Sequence, residues 1–324
     1  MLRDHFSKLF LNLFKLFFAV GLAYWMWSSG KIDFSQLLVI AKDPFILFII
    51  VAGWAFAIVG LGAVRWMLLL RGVGIHVNYF RVLQLNLIGL FFNSIIPGAV
   101  GGDLMKAIYV IRDQEKRNKT PAMLSILLDR IVGLMGLFTL GAISVSFNLS
   151  QFIHNDALTS IVFLIYVLFG FTLCFFALAF WKIPPERDII LRIVGKPIIG
   201  FSLLKKIYLA LCEYRNRPWS LVQALLISMT VQSLIMMFFI YLTEFMNHSP
   251  VDFLKYAAVY PVGILCTALP LAPAGMGVGH VAFDSLYRLI GLKNGANVFN
   301  VYLVAQITLS LTGIIPYLLI KKRA

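Results

Sequence analysis

Residues 93–103 read Asn93-Ser94-Ile95-Ile96-Pro97-Gly98-Ala99-Val100-Gly101-Gly102-Asp103, and they interrupt a hydrophobic stretch that runs from Val82 to Ile111. Proline removes a backbone donor and clustered glycines favour unwound backbone, so Val82–Ile111 is not one continuous helix. A second interruption, Pro270-Leu271-Ala272-Pro273-Ala274-Gly275-Met276-Gly277-Val278-Gly279-His280, divides Phe253–Ile290 in the same way. How these two breaks sit among the other apolar runs decides the architecture.

Those runs are long. A bilayer-spanning helix takes about 20 apolar residues, and candidates lie at Leu9–Trp27, Pro44–Leu70, Ala122–Phe147, Ala157–Trp181, Leu221–Thr243 and Asn297–Ile320. The first is preceded by Arg3 and Lys8 and lacks a small-residue cleavage site after it, which is the pattern of a retained signal anchor. Of the 324 residues 60% are hydrophobic and only 13% charged, about half the charged share of a soluble domain. A purely soluble enzyme, a disordered tail, a coiled coil and a disulfide scaffold are excluded. Cys174, Cys212 and Cys266 have no paired spacing.

The net charge of +14 follows membrane topology, so nucleic acid is not needed as a partner to explain it. With a cytoplasmic N-terminus and both broken stretches as re-entrant hairpins, 19 of the 28 Lys and Arg fall inside and three, Lys31, Lys42 and Lys293, outside. A full crossing by Val82–Ile111 would move the basic 112–119 and 182–217 loops together to the side opposite residues 1–8 and 71–81, separating the basic loops. The expected fold is therefore an all-α polytopic integral membrane protein. It has six full spans and two oppositely oriented re-entrant hairpins, 82–111 and 253–290, whose tips meet near the midplane in an inverted repeat. Such discontinuous helices build substrate sites in transporters. The whole of 1–324 is read as one membrane domain. The 182–220 loop, with apolar Ile189, Ile190, Ile193 and Val194 opposite Arg187, Arg192 and Lys196, reads as amphipathic helix at the headgroups. Both termini are expected in the cytoplasm, in a plasma membrane of the bacterial inner-membrane type.

Ionisable groups inside a membrane are functional candidates because each is costly there. Asp103 and Lys106 follow the first break, where Gly101 and Gly102 expose backbone N–H groups at a helix start suited to phosphate. Asp103 as a simple N-cap is the alternative. Asp129 and Arg130 lie two to three turns inside an apolar run. Neighbours on a helix diverge by about 100°, so each needs a partner elsewhere: Lys106 for Asp129, and Asp103 for Arg130. His280, Asp284 and Arg288 are spaced i, i+4, i+8 after the second break, a stripe able to relay protons or hold a headgroup; an Asp284–Arg288 helix pair beside an incidental histidine is the alternative. Arg65 reads as a snorkelling side chain that could also reach a lipid phosphate. Asn86, Asn93 and Gln232 read as interhelical hydrogen-bond formers. No Walker A loop, HExxH or GxSxG occurs, and the five histidines lack ligand spacing, so no metal, cofactor or catalytic residue is expected.

The run Asn93, Pro97-Gly98, Gly101-Gly102-Asp103, Lys106, followed by Asp129-Arg130 and Gly133, resembles the lysylphosphatidylglycerol synthase transmembrane-region family. That family includes the flippase half of the multiple peptide resistance factor and small stand-alone membrane proteins. Pro273, Gly275 and Gly277 resemble its second glycine motif. Lys106 stands where the family commonly has Arg, and His280 stands near a frequent Glu. The resemblance implies lipid translocation or membrane-lipid biosynthesis. The sequence ends at Lys321-Lys322-Arg323-Ala324 after the last span, so the aminoacyl-transferring domain, and with it lysyl transfer, is not expected.

The leading expectation is a non-enzymatic flippase for a polar or aminoacylated phospholipid or a lipid-linked intermediate. Its partners would be membrane phospholipids, with a homodimer left open. One rival is a membrane-embedded transferase using Asp103 or Asp129 as base or metal ligand. Another is a non-transporting partner that positions a separate lipid-modifying enzyme through the basic loop.

Overall fold

Asp43 starts the first described span: its carboxylate accepts the Phe45 and Ile46 N–H groups at 2.9 and 3.2 Å, and Pro44 occupies the first helical position. The computed structural model describes residues 42–95, 101–112, 114, 118–147, 149–152, 156–181, 208–209, 211–268 and 275–321. The Leu9–Trp27 run, the breaks at 96–100 and 269–274 with Pro97 and Pro273, and most of the 182–220 loop lie outside the described residues.

The described elements are α1 (Pro44–Gly72), α2 (Tyr79–Ile95), α3 (Gly101–Arg112), α4 (Lys119–Ser146), α5 (Asp156–Phe180), α6 (Trp219–Asn247), α7 (Phe253–Ala268), α8 (Val278–Leu289) and α9 (Gly295–Ile320). No strand occurs among the described residues. Five helices, α1, α4, α5, α6 and α9, are long and apolar enough to span a bilayer, and they coincide with five of the six runs read from sequence. Phe45, Phe48 and Phe56 on α1 and Phe163 and Phe171 on α5 are all more than 60% exposed, an outer surface suited to hydrocarbon rather than water.

The two interrupted stretches each fold as an antiparallel helical pair. In α2–α3, Asn86 bonds Lys106 and Asn93 bonds Gly102. In α7–α8, the Tyr256 and Tyr287 hydroxyls meet at 2.7 Å and Gly263 lies under the Phe283 ring. The described parts of the four arms have 17, 12, 16 and 12 residues, fewer than the roughly 20 of a typical span.

Helix α4, the most buried of the five long helices, packs against both pairs and against α1, α5 and α6. Toward its start, Ala122 and Ile126 share a core with Val110 of α3, and Arg130 reaches Asp103. Toward its end, Ala142 and Val145 share a core with Ala258 and Val259, and Pro261 sits on Gly141. The two pairs therefore lie along α4 from opposite ends, with α3 starting and α7 ending toward its middle. A Cβ at Gly136 would overlap the Ser228 hydroxyl of α6. Between lipid-solvated helices such close packing, not hydrophobic expulsion from water, holds the interface. The largest core lies around α7–α8, where the Phe239, Phe283 and Phe299 rings stack at 5.0 and 5.3 Å.

Candidate functional site

Helix α1 contributes through an irregularity. Residues Trp54–Leu61 wind as a π-helix, which displaces carbonyls from the usual ladder. The Asn86 amide of α2 donates to the Ile58 and Val59 carbonyls at 3.3 and 3.2 Å. Its oxygen in turn accepts from Lys106 Nζ at 2.7 Å. Lys106 is buried, with its ammonium 5.2 Å from the centre of the Trp66 ring, a cation–π geometry. Trp66 is itself fixed by a 3.1 Å bond from its indole N–H to Ser125 of α4. Gly89 leaves the space in which the Lys106 stem lies.

One turn earlier on α3, the Gly102 N–H donates to Asn93 Oδ1 at 2.8 Å. Asn93 thus satisfies a helix-start donor from the opposite arm of the hairpin. Gly102 is required by close approach, since a Cβ there would run into the Gly89 carbonyl. Asp103, freed from that duty, pairs with Arg130 of α4.

Asp129 faces the other way around α4 and is gripped by Arg65 of α1. Arg65 Nε donates to Oδ1 at 2.7 Å and Nη2 to Oδ2 at 3.2 Å, while Nη1 reaches Ser228 Oγ at 3.4 Å. The Arg65 guanidinium lies over Gly133. A two-pronged pair of this kind is the strong form of an ion pair. Arg65, Asp103, Lys106, Asp129 and Arg130 form one electrostatic group carrying three cations and two carboxylates, hence a formal +1.

Sequence reasoning paired Arg130 with Asp103, and the structure does the same. Two other assignments change. Asp129 takes Arg65 rather than Lys106, and Lys106 takes the Asn86 amide. Arg65 accordingly points inward, with only 15% of its side chain exposed, instead of snorkelling outward. A fixed carboxylate within reach outweighs the gain from extending toward water. The π-helical segment and the role of Ser228 carry no legible sequence signal.

The second motif builds a different arrangement. Gly275 and Gly277 have φ of +73° and +78°, a left-handed conformation in which side chains are strained. His280 Nδ1 accepts the Gly277 N–H at 3.2 Å, and Nε2 lies 3.3 Å from Asn300 Oδ1 on α9. The first contact makes Nδ1 the acceptor, so Nε2 carries the proton and donates to Asn300. His280 is buried and stands edge-on to Phe299. Asp284 pairs with Arg288 at 3.2 Å, and Arg288 is two-thirds exposed. The i, i+4, i+8 stripe thus divides into a buried helix-start cap and an ion pair nearer the surface. Among the described residues no three His, Cys, Asp or Glu side chains converge as metal ligands.

Long apolar helices, two short antiparallel pairs set along a central helix, and a partly buried five-charge group define a multi-pass α-helical membrane protein with a polar interior site. The chain belongs to the family described as the lysylphosphatidylglycerol synthase TM region, which it matches over residues 12–315. It is similar to a UPF0104 membrane protein of Pyrococcus horikoshii, with 23% identity over 290 residues, covering 83% of this chain and 84% of that protein. A UPF0104 membrane protein of Methanothermobacter thermautotrophicus is 22% identical over 297 residues, covering 85% of this chain and 84% of the relative. No solved structure gives a significant match.

Proposed function

We propose that the chain is a lipid flippase, carrying a polar-headgroup lipid between leaflets without altering it covalently. The observation that carries this reading is the partly buried group of Arg65, Asp103, Lys106, Asp129 and Arg130 beside the α2–α3 pair. A charged headgroup cannot enter hydrocarbon without a cost of several kcal/mol or more. Fixed charges and a polar hairpin replace its lost hydration, while its chains stay in lipid. The formal +1 of the group suits a phosphate-bearing headgroup. Arg130, the most exposed of its three cations, is the one best placed to meet it.

In this reading α2–α3 and α7–α8 are re-entrant hairpins that enter from opposite faces and form the two halves of an inverted repeat. Their approach to α4 from opposite ends supports that topology. Both termini are cytoplasmic and the protein resides in a plasma membrane, in keeping with the excess of Lys and Arg in the loops assigned to that side. Its partner is membrane phospholipid.

Leaflet exchange tests the reading. Purified protein is reconstituted into vesicles holding phosphatidylglycerol labelled on its headgroup, and outer-leaflet label is quenched chemically. Exchange faster than in protein-free vesicles, and lost in Arg130→Gln, is expected. Wild-type exchange equal to empty vesicles for anionic, zwitterionic and aminoacylated headgroups alike overturns it.

A further inference from the structure

A cavity of about 370 Å³ lies between α1, α6 and α9. Its wall includes Ile50, Gly53 and Ala57 of α1, Phe238 of α6, and Tyr302 and Ala305 of α9, and it is almost wholly apolar. Phe56 and Met237, also on the wall, are 61% and 58% exposed, so the cavity opens onto the lipid-facing surface. Gly53 meets nothing in the direction of a side chain. Water does not fill apolar space of this kind, and left empty it forfeits the dispersion contacts of its lining.

We infer that this crevice is an acyl-chain site, which receives one hydrocarbon chain of the lipid whose headgroup meets the charged group. The inference rests on the flippase reading for the headgroup's identity and adds the place of the tail. Volume fits: a crevice of about 370 Å³ has room for a stretch of one hydrocarbon chain. Alignment also fits. Ile58 lies on the crevice wall and Arg65 is seven residues further along the same helix, about 10 Å away. A lipid whose headgroup meets the charged group extends its chain along α1 and its π-helical segment, which forms part of the crevice wall. The Trp54 indole N–H, on the wall and buried, has no acceptor among the described residues.

The chain gains nothing from hydrophobic expulsion here, because it leaves one apolar medium for another. The crevice selects by shape, and filling it evicts the chain. The test uses vesicles containing full-length protein and phosphatidylglycerol with a photoreactive diazirine midway along one chain. After illumination, adducts are mapped by mass spectrometry. Adducts concentrated on the α1, α6 and α9 wall, reduced severalfold in Gly53→Phe while adducts on Phe163 and Phe171 of α5 persist, are expected. Ala305→Leu narrows the crevice from the opposite wall and serves if Gly53→Phe does not fold. Adducts on α5 as abundant per residue as those on the crevice, or crevice adducts unchanged in a folded variant, overturn the inference. Crosslinking reads occupancy without transport, so wild-type adducts in the crevice with no leaflet exchange sink the flippase reading and leave the chain site standing.

Discussion

Arg65 and Asp129, 64 positions apart, grip each other through two bonds of 2.7 and 3.2 Å. Only 15% and 11% of their side chains are exposed. The pair ties α1 to the central helix, and Ser228 extends the connection to α6. Removing either partner strands a buried charge, a loss of about 3–5 kcal/mol. Arg65→Ala and Asp129→Ala are each expected to lower the melting temperature in detergent sharply. The double variant is expected to be less unstable than the sum of the two, since it leaves no orphaned charge. Strict additivity would show that the pair is not coupled.

The Asp103–Arg130 pair is expected to behave oppositely. Its side chains are 20% and 39% exposed, so in the flippase reading the hydrated headgroup path reaches them and screens the attraction. Arg130→Gln therefore costs about 1 kcal/mol or less in stability, while lipid exchange falls to the protein-free level. Melting curves and exchange rates on the same preparation separate the two effects.

Asn86 tunes the charge of the site. In Asn86→Asp the Lys106 ammonium gains a carboxylate, and the formal charge of the group falls from +1 to zero. Preference for anionic over zwitterionic headgroups is expected to disappear in the exchange assay. Asn86→Leu instead strands Lys106 and frees the Ile58 and Val59 carbonyls, with a stability loss of about 3 kcal/mol expected.

Two glycines give opposite outcomes for one substitution. At Gly102 a methyl group collides with the Gly89 carbonyl and the Asn93 side chain, so Gly102→Ala forces the hairpin open at about 1–3 kcal/mol. At Gly53 the space is empty, and Gly53→Ala adds up to about 1 kcal/mol of helix preference. Thermal melts of the two variants should move in opposite directions.

His280 is tested by replacement with a shorter acceptor. Asn at the third helical position can still take the Gly277 N–H, so His280→Asn is expected to retain folding. His280→Ala leaves the Gly277 donor and Asn300 unsatisfied and loses about 1–3 kcal/mol. Loss of exchange in a stably folded His280→Asn variant would assign the ring a further part in transport.

The sequence by itself determined that the chain is a bundle of membrane helices with two interrupted segments, and which charges lie among apolar residues. Both are local properties: a run of apolar residues, a Pro-Gly cluster or a lone aspartate is visible along one dimension. Arg130 with Asp103 was also legible, because one lies at the start of the returning half-helix and the other at matching depth. Tertiary structure alone decided that Arg65 takes Asp129, that Asn86 holds Lys106, and that α1 winds as a π-helix where Asn86 reaches it. Those contacts depend on how each helix is rotated about its axis and which neighbour it meets, and these are set by packing many residues away. The side of α4 on which a carboxylate emerges follows from the 100° step of the helix; the cation waiting there does not.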